Sequence, residues 1–285
     1  MFELSPLIES FGSLEIGLIV CLILGFCIGI ISAMFGIGGG FIITPFFHAG
    51  IGLSASHSVS SSTGQIPLMA AMACWDYYKK NLIEFKAAIA FLITAVPSAQ
   101  VIAHYVILFE TSVWGSEIIW RGHSRADVIV ILSYIIIIGL FGIYNVYKSY
   151  QLQSETEQFE PLVNVNKRIY VDLSFGLIFG ASSALLGIGG GFLAVPYFLY
   201  VHGLKPVSAV ATSMFCIFIT SSITTIHYLW SGEIFFGLSL ILALGSILGV
   251  RIGTRIAVKL PAHILFKLFA GFQVCVLFLY CYFKI

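Results

Sequence analysis

Long apolar blocks alternate with short polar stretches along this chain. The blocks predict helices over 14–35, 55–78, 87–108, 127–148, 169–186, 206–230, 234–257 and 262–284. Two shorter apolar pieces, 41–49 and 192–201, each follow a glycine-rich break. Lys79, Lys80, Asn81, Glu84 and Lys86 mark one polar loop, and Glu110, Glu117, Arg121 and Arg125 lie in another over 109–126. The stretch 150–168, with Glu155, Glu157, Glu160, Pro161, Lys167 and Arg168, reads as a solvated linker. Most blocks have the ~20-residue length that carries a helix across a hydrocarbon core of about 30 Å. A membrane β-barrel would instead show alternating segments of about 10 residues, and the pattern has none.

The two breaks are copies of one another. Gly36-Ile37-Gly38-Gly39-Gly40-Phe41 is followed by Pro45, and Gly187-Ile188-Gly189-Gly190-Gly191-Phe192 by Pro196. They lie 151 positions apart (36 to 187), and the same offset places Val59-Ser60-Ser61-Ser62 on Val210-Ala211-Thr212-Ser213, Gln100 on Arg251 and His104 on Arg255. The chain therefore reads as a first transmembrane repeat (1–149), the polar linker (150–168) and a second transmembrane repeat (169–285).

Composition narrows the class. The 285 residues are 59% hydrophobic and 9% charged, with a mean hydropathy of +1.02, whereas soluble domains carry about 25% charged residues. The fold class expected is an all-α polytopic membrane protein. A net charge of +1 offers no basis for binding nucleic acid. The six cysteines lie in apolar segments without metal-binding spacing. Residues 1–13 have no basic region and contain Glu3 and Glu9, so the first block is expected to be a true span rather than a cleaved leader. Neither glycine motif continues into the Gly-Lys-Ser/Thr of a nucleotide-binding loop, and no HExxH, paired carboxylates or nucleophile–base set is visible. The expectation is no enzyme, no catalytic residue, no metal and no cofactor.

The short pieces decide the topology. If each completes a crossing, each half crosses five times and the second half starts on the opposite side, inverted. One side then holds Arg121, Arg125 and Lys284; the other holds Lys79, Lys80, Lys86, Lys148, Lys167, Arg168, Lys205, Lys259 and Lys267. The Lys/Arg-rich side is the cytoplasmic one. If the short pieces are re-entrant, each half crosses four times and the basic residues divide almost evenly, so the charge count favours five plus five. A piece of about 10 residues reaches only about 15 Å as a helix, so it can be no more than part of a broken crossing.

The breaks are also the first candidate for chemistry. A glycine run is poor helix material, at about 1 kcal/mol per residue against alanine, and at membrane depth it is tolerated where protein or a water-filled cavity satisfies the backbone. A helix starting after such a break aims free N–H groups and a positive dipole end inward, which suits an anion. Two such ends match the plan of secondary transporters with discontinuous helices. The competing explanation is close packing through small residues; recurrence with the same following proline favours function. Gly38, Gly39, Gly40, Gly189, Gly190 and Gly191 are thus candidate binding residues. The hydroxyl pairs Ser61-Ser62 and Thr212-Ser213 add neutral donors, and Gln65 lies one turn from Ser61. Arg251 and Arg255 share a helix face at i and i+4. Intramembrane charge is costly and marks functional candidates, although Arg255 and Lys259 fit an interfacial role; Arg251 is the one kept as a candidate. His57, His104 and His227 could titrate.

At the paired glycine motifs the chain resembles the TauE/SafE (TSUP, sulfite exporter) family of membrane transporters. The resemblance is carried by both glycine hexamers with Pro45 and Pro196, by the segment Lys205 to Ser213, and by Gly249-Val250-Arg251-Ile252-Gly253. It implies a multi-pass protein of the cytoplasmic membrane that moves a small sulfur-containing or organic anion such as sulfite or a sulfonate. The function expected is secondary transport by alternating access; the alternative is an anion channel using the same site. The partners expected are a small anion and the lipid bilayer, and association between copies of the chain is left open.

Overall fold

Helix starts and stops follow local chemistry. The computed structural model describes residues 4–120, 123–151 and 165–260, and near the C-terminus positions 264, 267–268, 271–272, 274–276 and 278. After a short α1 (Ser5–Phe11), Ser13 opens α2 (Leu14–Phe35) by accepting from the Ile16 N–H, and Gly36 ends it in the left-handed conformation. Then come α3 (Gly40–Pro45), which runs on as a π-helical segment (Phe46–Ile51), α4 (Ala55–Tyr78) and α5 (Phe85–Thr111). Strands β1 (Ile118–Trp120) and β2 (His123–Ser124) form a small antiparallel ribbon, the one departure from an all-helical chain among the described residues. α6 (Arg125–Gln151), α7 (Val165–Leu186), α8 (Gly191–Tyr200), α9 (Pro206–Trp230) and α10 (Phe236–Lys259) complete the order.

Five of these helices are long and apolar enough to cross a membrane: α2, α5, α7 from Arg168, α9 and α10. Large side chains such as Ile19 and Ile23 on α2, Ile89 and Ile93 on α5, Leu140 on α6 and Leu248 on α10 are exposed, which is the lipid-facing arrangement. α4 has the length of a span but carries Ser58, Ser60, Ser61, Ser62, Thr63 and Gln65, all buried. Its polarity is tolerated because this face meets protein, not lipid. Linker residues 152–164 and most of the expected last helix lie outside the described residues. α7 starts at Val165, four residues before the expected start, so Lys167 and Arg168 belong to its first turn.

Small residues set which helices touch. A Cβ at Gly25 or Gly29 of α2 would run into the carbonyl of Leu242 or Ser246 on α10, and one at Gly176 or Gly180 of α7 into that of Phe91 or Ala95 on α5. Each pair packs backbone to backbone at a four-residue repeat, the close approach that small residues allow in membranes. In both pairs the residue numbers rise together, so α2 runs parallel to α10 and α7 to α5. Ser61 lies level with Phe235 and Asp76 with Thr254, so α4 also runs with α10. Phe215 meets Phe85 and Thr224 meets Gln100, so α9 runs with α5.

The short helices follow from these directions. Because α2 and α4 run the same way, the chain between them must return, and the glycine run with α3 and the π-helical segment carries it back. Residues 187–205 do the same between α7 and α9. α6 starts beside the N-terminus of α4, where Asp127 accepts from the Ala55 N–H at 3.0 Å, and α7 starts from the end opposite to that at which α2 starts. We call the end holding Ala55, Glu110, Asp127 and Glu233 the first end, and that holding Lys80, Asp172, His202 and Lys259 the second.

The prolines leave carbonyls that other helices satisfy. A proline inside a helix frees the carbonyl four residues back. For Pro45 that is the Phe41 carbonyl, which accepts from the Tyr134 hydroxyl of α6. For Pro67 it is the Thr63 carbonyl, which accepts from Thr225 of α9 at 3.2 Å.

Candidate functional site

The two glycine runs cross at the centre, antiparallel. Gly36 faces Gly191, Gly38 faces Gly189 and Gly40 faces Gly187. Gly36, Gly38 and Gly39 have φ of 68°, 84° and 62°, and Gly187, Gly189 and Gly190 of 64°, 83° and 72°. Side-chain-bearing residues avoid this region. Gly40 and Gly191 are needed for space: a Cβ on Gly40 would collide with the Gly187 carbonyl oxygen, and one on Gly191 with that of Gly36.

Hydroxyls pin the crossing from both sides. Ser62 donates to the Gly187 carbonyl at 3.1 Å, and Ser213 to the Gly36 carbonyl at 3.0 Å. Thr44 shares a 2.7 Å bond with Ser62 and donates to the Leu186 carbonyl. The other expected hydroxyls lie elsewhere. Ser61 accepts from the N–H of Phe235, the residue before α10, and Thr212 from that of Glu84, the residue before α5, both at 3.0 Å. These two cap neighbouring helices from outside, a role visible only once α4 is laid on α10 and α9 on α5. Arg251 is exposed on α10, whereas the crossing is buried.

Gln65 is different. It is wholly buried, and among the described residues neither its Oε1 nor its Nε2 has a hydrogen-bond partner. An orphaned buried amide costs about 1–3 kcal/mol. Its Nε2 lies 2.7 Å from where a Cβ on Gly39 would stand, with Ile28 and Met69 alongside. Gly39 is the residue before α3, and its carbonyl already accepts from Ile42 and Ile43. Ahead of these, the Gly38 N–H donates to the Ser32 hydroxyl at 2.9 Å and the Gly40 N–H to the Gly38 carbonyl. The spot thus combines a helix head with a free amide that can donate or accept.

The matching spot at α8 is not equivalent. There the Phe179 ring lies 2.7 Å from the Cβ position of Gly190, and the position 151 residues after Gln65 is Cys216. One helix head meets an amide and the other an aromatic ring. Residues 36–41 and 187–192 are buried throughout, so the crossing is sealed from both ends.

Ionisable groups gather at both bundle ends, where the apolar pattern of the sequence gives no sign of their pairing. At the first end Glu110 accepts from the Ser56 N–H at 2.7 Å, Asp127 from Ala55, and Glu233 from the Ser56 hydroxyl at 3.0 Å, so three carboxylates gather round the start of α4. His48 lies 3.6 Å from Asp127. At the second end His202 Nε2 lies 2.8 Å from Asp172 Oδ1, which also accepts from the Tyr197 hydroxyl. For Asp172 itself a signal was available, because it is an acid inside an expected apolar helix.

The chain is similar along most of its length to known membrane transporter proteins. The family described as "Sulfite exporter TauE/SafE" matches residues 21–280. The chain is 24% identical over 249 residues to the probable membrane transporter protein YunE of Bacillus subtilis, covering 85% of this chain and 89% of that protein. It is 25% identical over 259 residues to the probable membrane transporter protein MJ0441 of Methanocaldococcus jannaschii, covering 85% and 88%. A probable membrane transporter protein of Haemophilus influenzae is 24% identical over 294 residues, covering 91% and 96%. No solved structure matches the chain.

Proposed function

The chain belongs to the sulfite exporter TauE/SafE family of membrane transporters, and on that premise we propose that it is a secondary transporter of a small anion, working by alternating access. The anion is sulfite, a sulfonate or a related sulfur-containing or organic anion. It binds at the head of α3, held by the Gln65 amide and the backbone of Gly39, with Gly38 and Gly40 turning their N–H groups to it as these leave the Ser32 hydroxyl and the Gly38 carbonyl. The observation that carries this reading is Gln65, beside a helix head, wholly buried and without a partner among the described residues. Gly189, Gly190 and Gly191 close the site from the facing run, and Ser62 and Ser213 hold the two runs together or release them. Ser61, Thr212 and Arg251 act indirectly, the first two by fixing α10 and α5.

We further propose that residues 1–149 and 169–285 are inverted repeats about an axis between Gly38 and Gly189. Support comes from contacts that recur with the halves exchanged. Tyr77 donates to Ala33 at 2.6 Å and Tyr228 to Ala184 at 3.3 Å. Ser62 and Ser213 reach each other's glycine run, and Ser61 and Thr212 each cap a helix of the other half. In this reading the second end faces the cytosol of a cell whose cytoplasmic membrane holds the protein. Rocking one bundle against the other separates the runs and opens the site to each side in turn.

Proteoliposome uptake across sulfite, thiosulfate, sulfonates and carboxylates tests the proposal. Saturable flux with counter-transport is expected. Single-channel currents would refute the carrier in favour of a pore, and flux of none of these anions would refute the substrate class.

A further inference from the structure

We infer that Asp172, His202 and Tyr197 form a proton-binding site that couples anion movement to protons through α8. The inference rests on the transport reading above and goes beyond it by naming the coupling ion and its seat. Asp172 lies within the apolar helix α7, with its side chain 6% exposed and that of His202 8% exposed. Ionisable groups inside membrane helices are expensive and are functional candidates by default. Here one carboxylate oxygen takes the Tyr197 hydroxyl and the His202 Nε2 together, and Tyr197 lies 3.4 Å from the same nitrogen.

The pair has two states differing by one proton. With the proton, carboxylate and imidazolium are together neutral. Without it, the neutral imidazole still donates from Nε2 to Oδ1, and the pair carries one negative charge, faced by the Arg168 guanidinium one turn away on α7. In this reading the proton is exchanged with water when the second end opens. An anion of charge −1 moving with this proton crosses without net charge. No bond other than those to the proton is made or broken.

α8 supplies the link. Its first residue, Gly191, abuts the Gly36 carbonyl at the crossing, and Tyr197 lies less than two turns further along the same helix. Separating the glycine runs therefore frees the head of α8, the helix whose Tyr197 is held by Asp172 of α7. Among the described residues, the other ionisable groups acting on Tyr197 are Arg168, one turn before Asp172 on α7, and Cys216 of α9. The loop after α8 adds Lys205, and the start of α5 adds Glu84 and Lys86, all exposed. Tyr200 is the second phenol on α8. From α5, Phe91 packs on the Tyr197 ring at 5.2 Å. The alternative role is a fixed staple between α7 and the loop, which would move no proton.

The test uses the purified full chain in weakly buffered detergent solution with a pH indicator, titrated with isethionate and methanesulfonate, which carry no titrating proton of their own near neutrality. Anion binding is read separately by calorimetry. Wild type is expected to take up about one proton per sulfonate bound at some pH between about 5 and 8. Asp172→Asn and His202→Gln should still bind sulfonate while proton uptake falls at least about tenfold, and Tyr197→Phe, which removes the hydroxyl that joins α8 to Asp172, should also lower uptake per sulfonate bound. In proteoliposomes the first two should lose pH-driven accumulation and keep sulfonate counterflow. Wild-type uptake in both variants, or sulfonate binding to wild type with no proton change at any pH, overturns the inference and leaves the transport reading standing. The wild-type result decides even if a variant fails to fold. No binding of sulfonate or sulfite by wild type overturns the transport reading and this inference with it.

Discussion

Replacing Gln65 with leucine separates the energetic role of that residue from its functional one. The side chain is wholly buried, packs beside Gly39, and leaves both polar atoms without partners among the described residues. Leucine has similar bulk and removes the orphaned amide, so the desolvation penalty of about 1–3 kcal/mol disappears. Part of that gain is lost to imperfect packing, since shape-changing core swaps cost up to about 1.5 kcal/mol. The net expectation is a variant at least as stable as wild type in a detergent melting assay. Function moves the other way. If the amide donates to a bound anion, a hydrogen bond to a charged group worth about 1.5–3 kcal/mol is lost. At 1.4 kcal/mol per factor of ten, sulfonate affinity in counterflow falls about 10- to 100-fold. Gln65→Glu instead adds a negative charge: a carboxylate at the helix head occupies the site and blocks sulfonate exchange. A Gln65→Leu protein that melts clearly lower, with sulfonate affinity unchanged, would refute both halves of the reasoning.

Other consequences are as direct. Gly40→Ala and Gly191→Ala each drive a methyl into a facing carbonyl, so neither should yield folded protein by size-exclusion chromatography, whereas Gly52→Ala and Gly232→Ala, which meet nothing within 4 Å, should fold with a loss of about 1 kcal/mol from their positive φ. Ser62→Ala and Ser213→Ala each remove one hydroxyl from the crossing; thermal melts should show losses of about 1 kcal/mol apiece, and equal effects are expected if the halves are true repeats. Tyr134→Phe orphans the Phe41 carbonyl left by Pro45, and should lower stability by about 1–3 kcal/mol in the same assay.

Much of the architecture was legible because membrane helices are written in long apolar blocks. The bounds 14–35, 55–78 and 206–230 coincide with α2, α4 and α9. The glycine runs announced themselves by composition, and their positive φ values give the reason. Less legible was what each hydroxyl does. Ser61, Ser62, Thr212 and Ser213 look alike in sequence, yet two pin the crossing and two cap other helices, because adjacent residues on a helix point about 100° apart and so meet different neighbours. Arg251 illustrates the same limit: its charge suggested an inward role, but the Gly245, Gly249 and Gly253 stripe fixes which face of α10 meets α2 and leaves the arginine outside. Asp172 stands out as an acid in an apolar block, but its pairing does not, since its partners come from residues 25 and 30 positions later.

The central claim is that the anion sits at the head of α3. Anomalous diffraction from crystals grown with bromoethanesulfonate tests it most directly. The account predicts a bromine peak within one sulfonate length of Gly39, with sulfonate oxygens on the Gly39–Gly40 backbone and the Gln65 amide. A peak beside Phe179 at the head of α8, or at Arg251 on the outer face of α10, with none at Gly39, would contradict it.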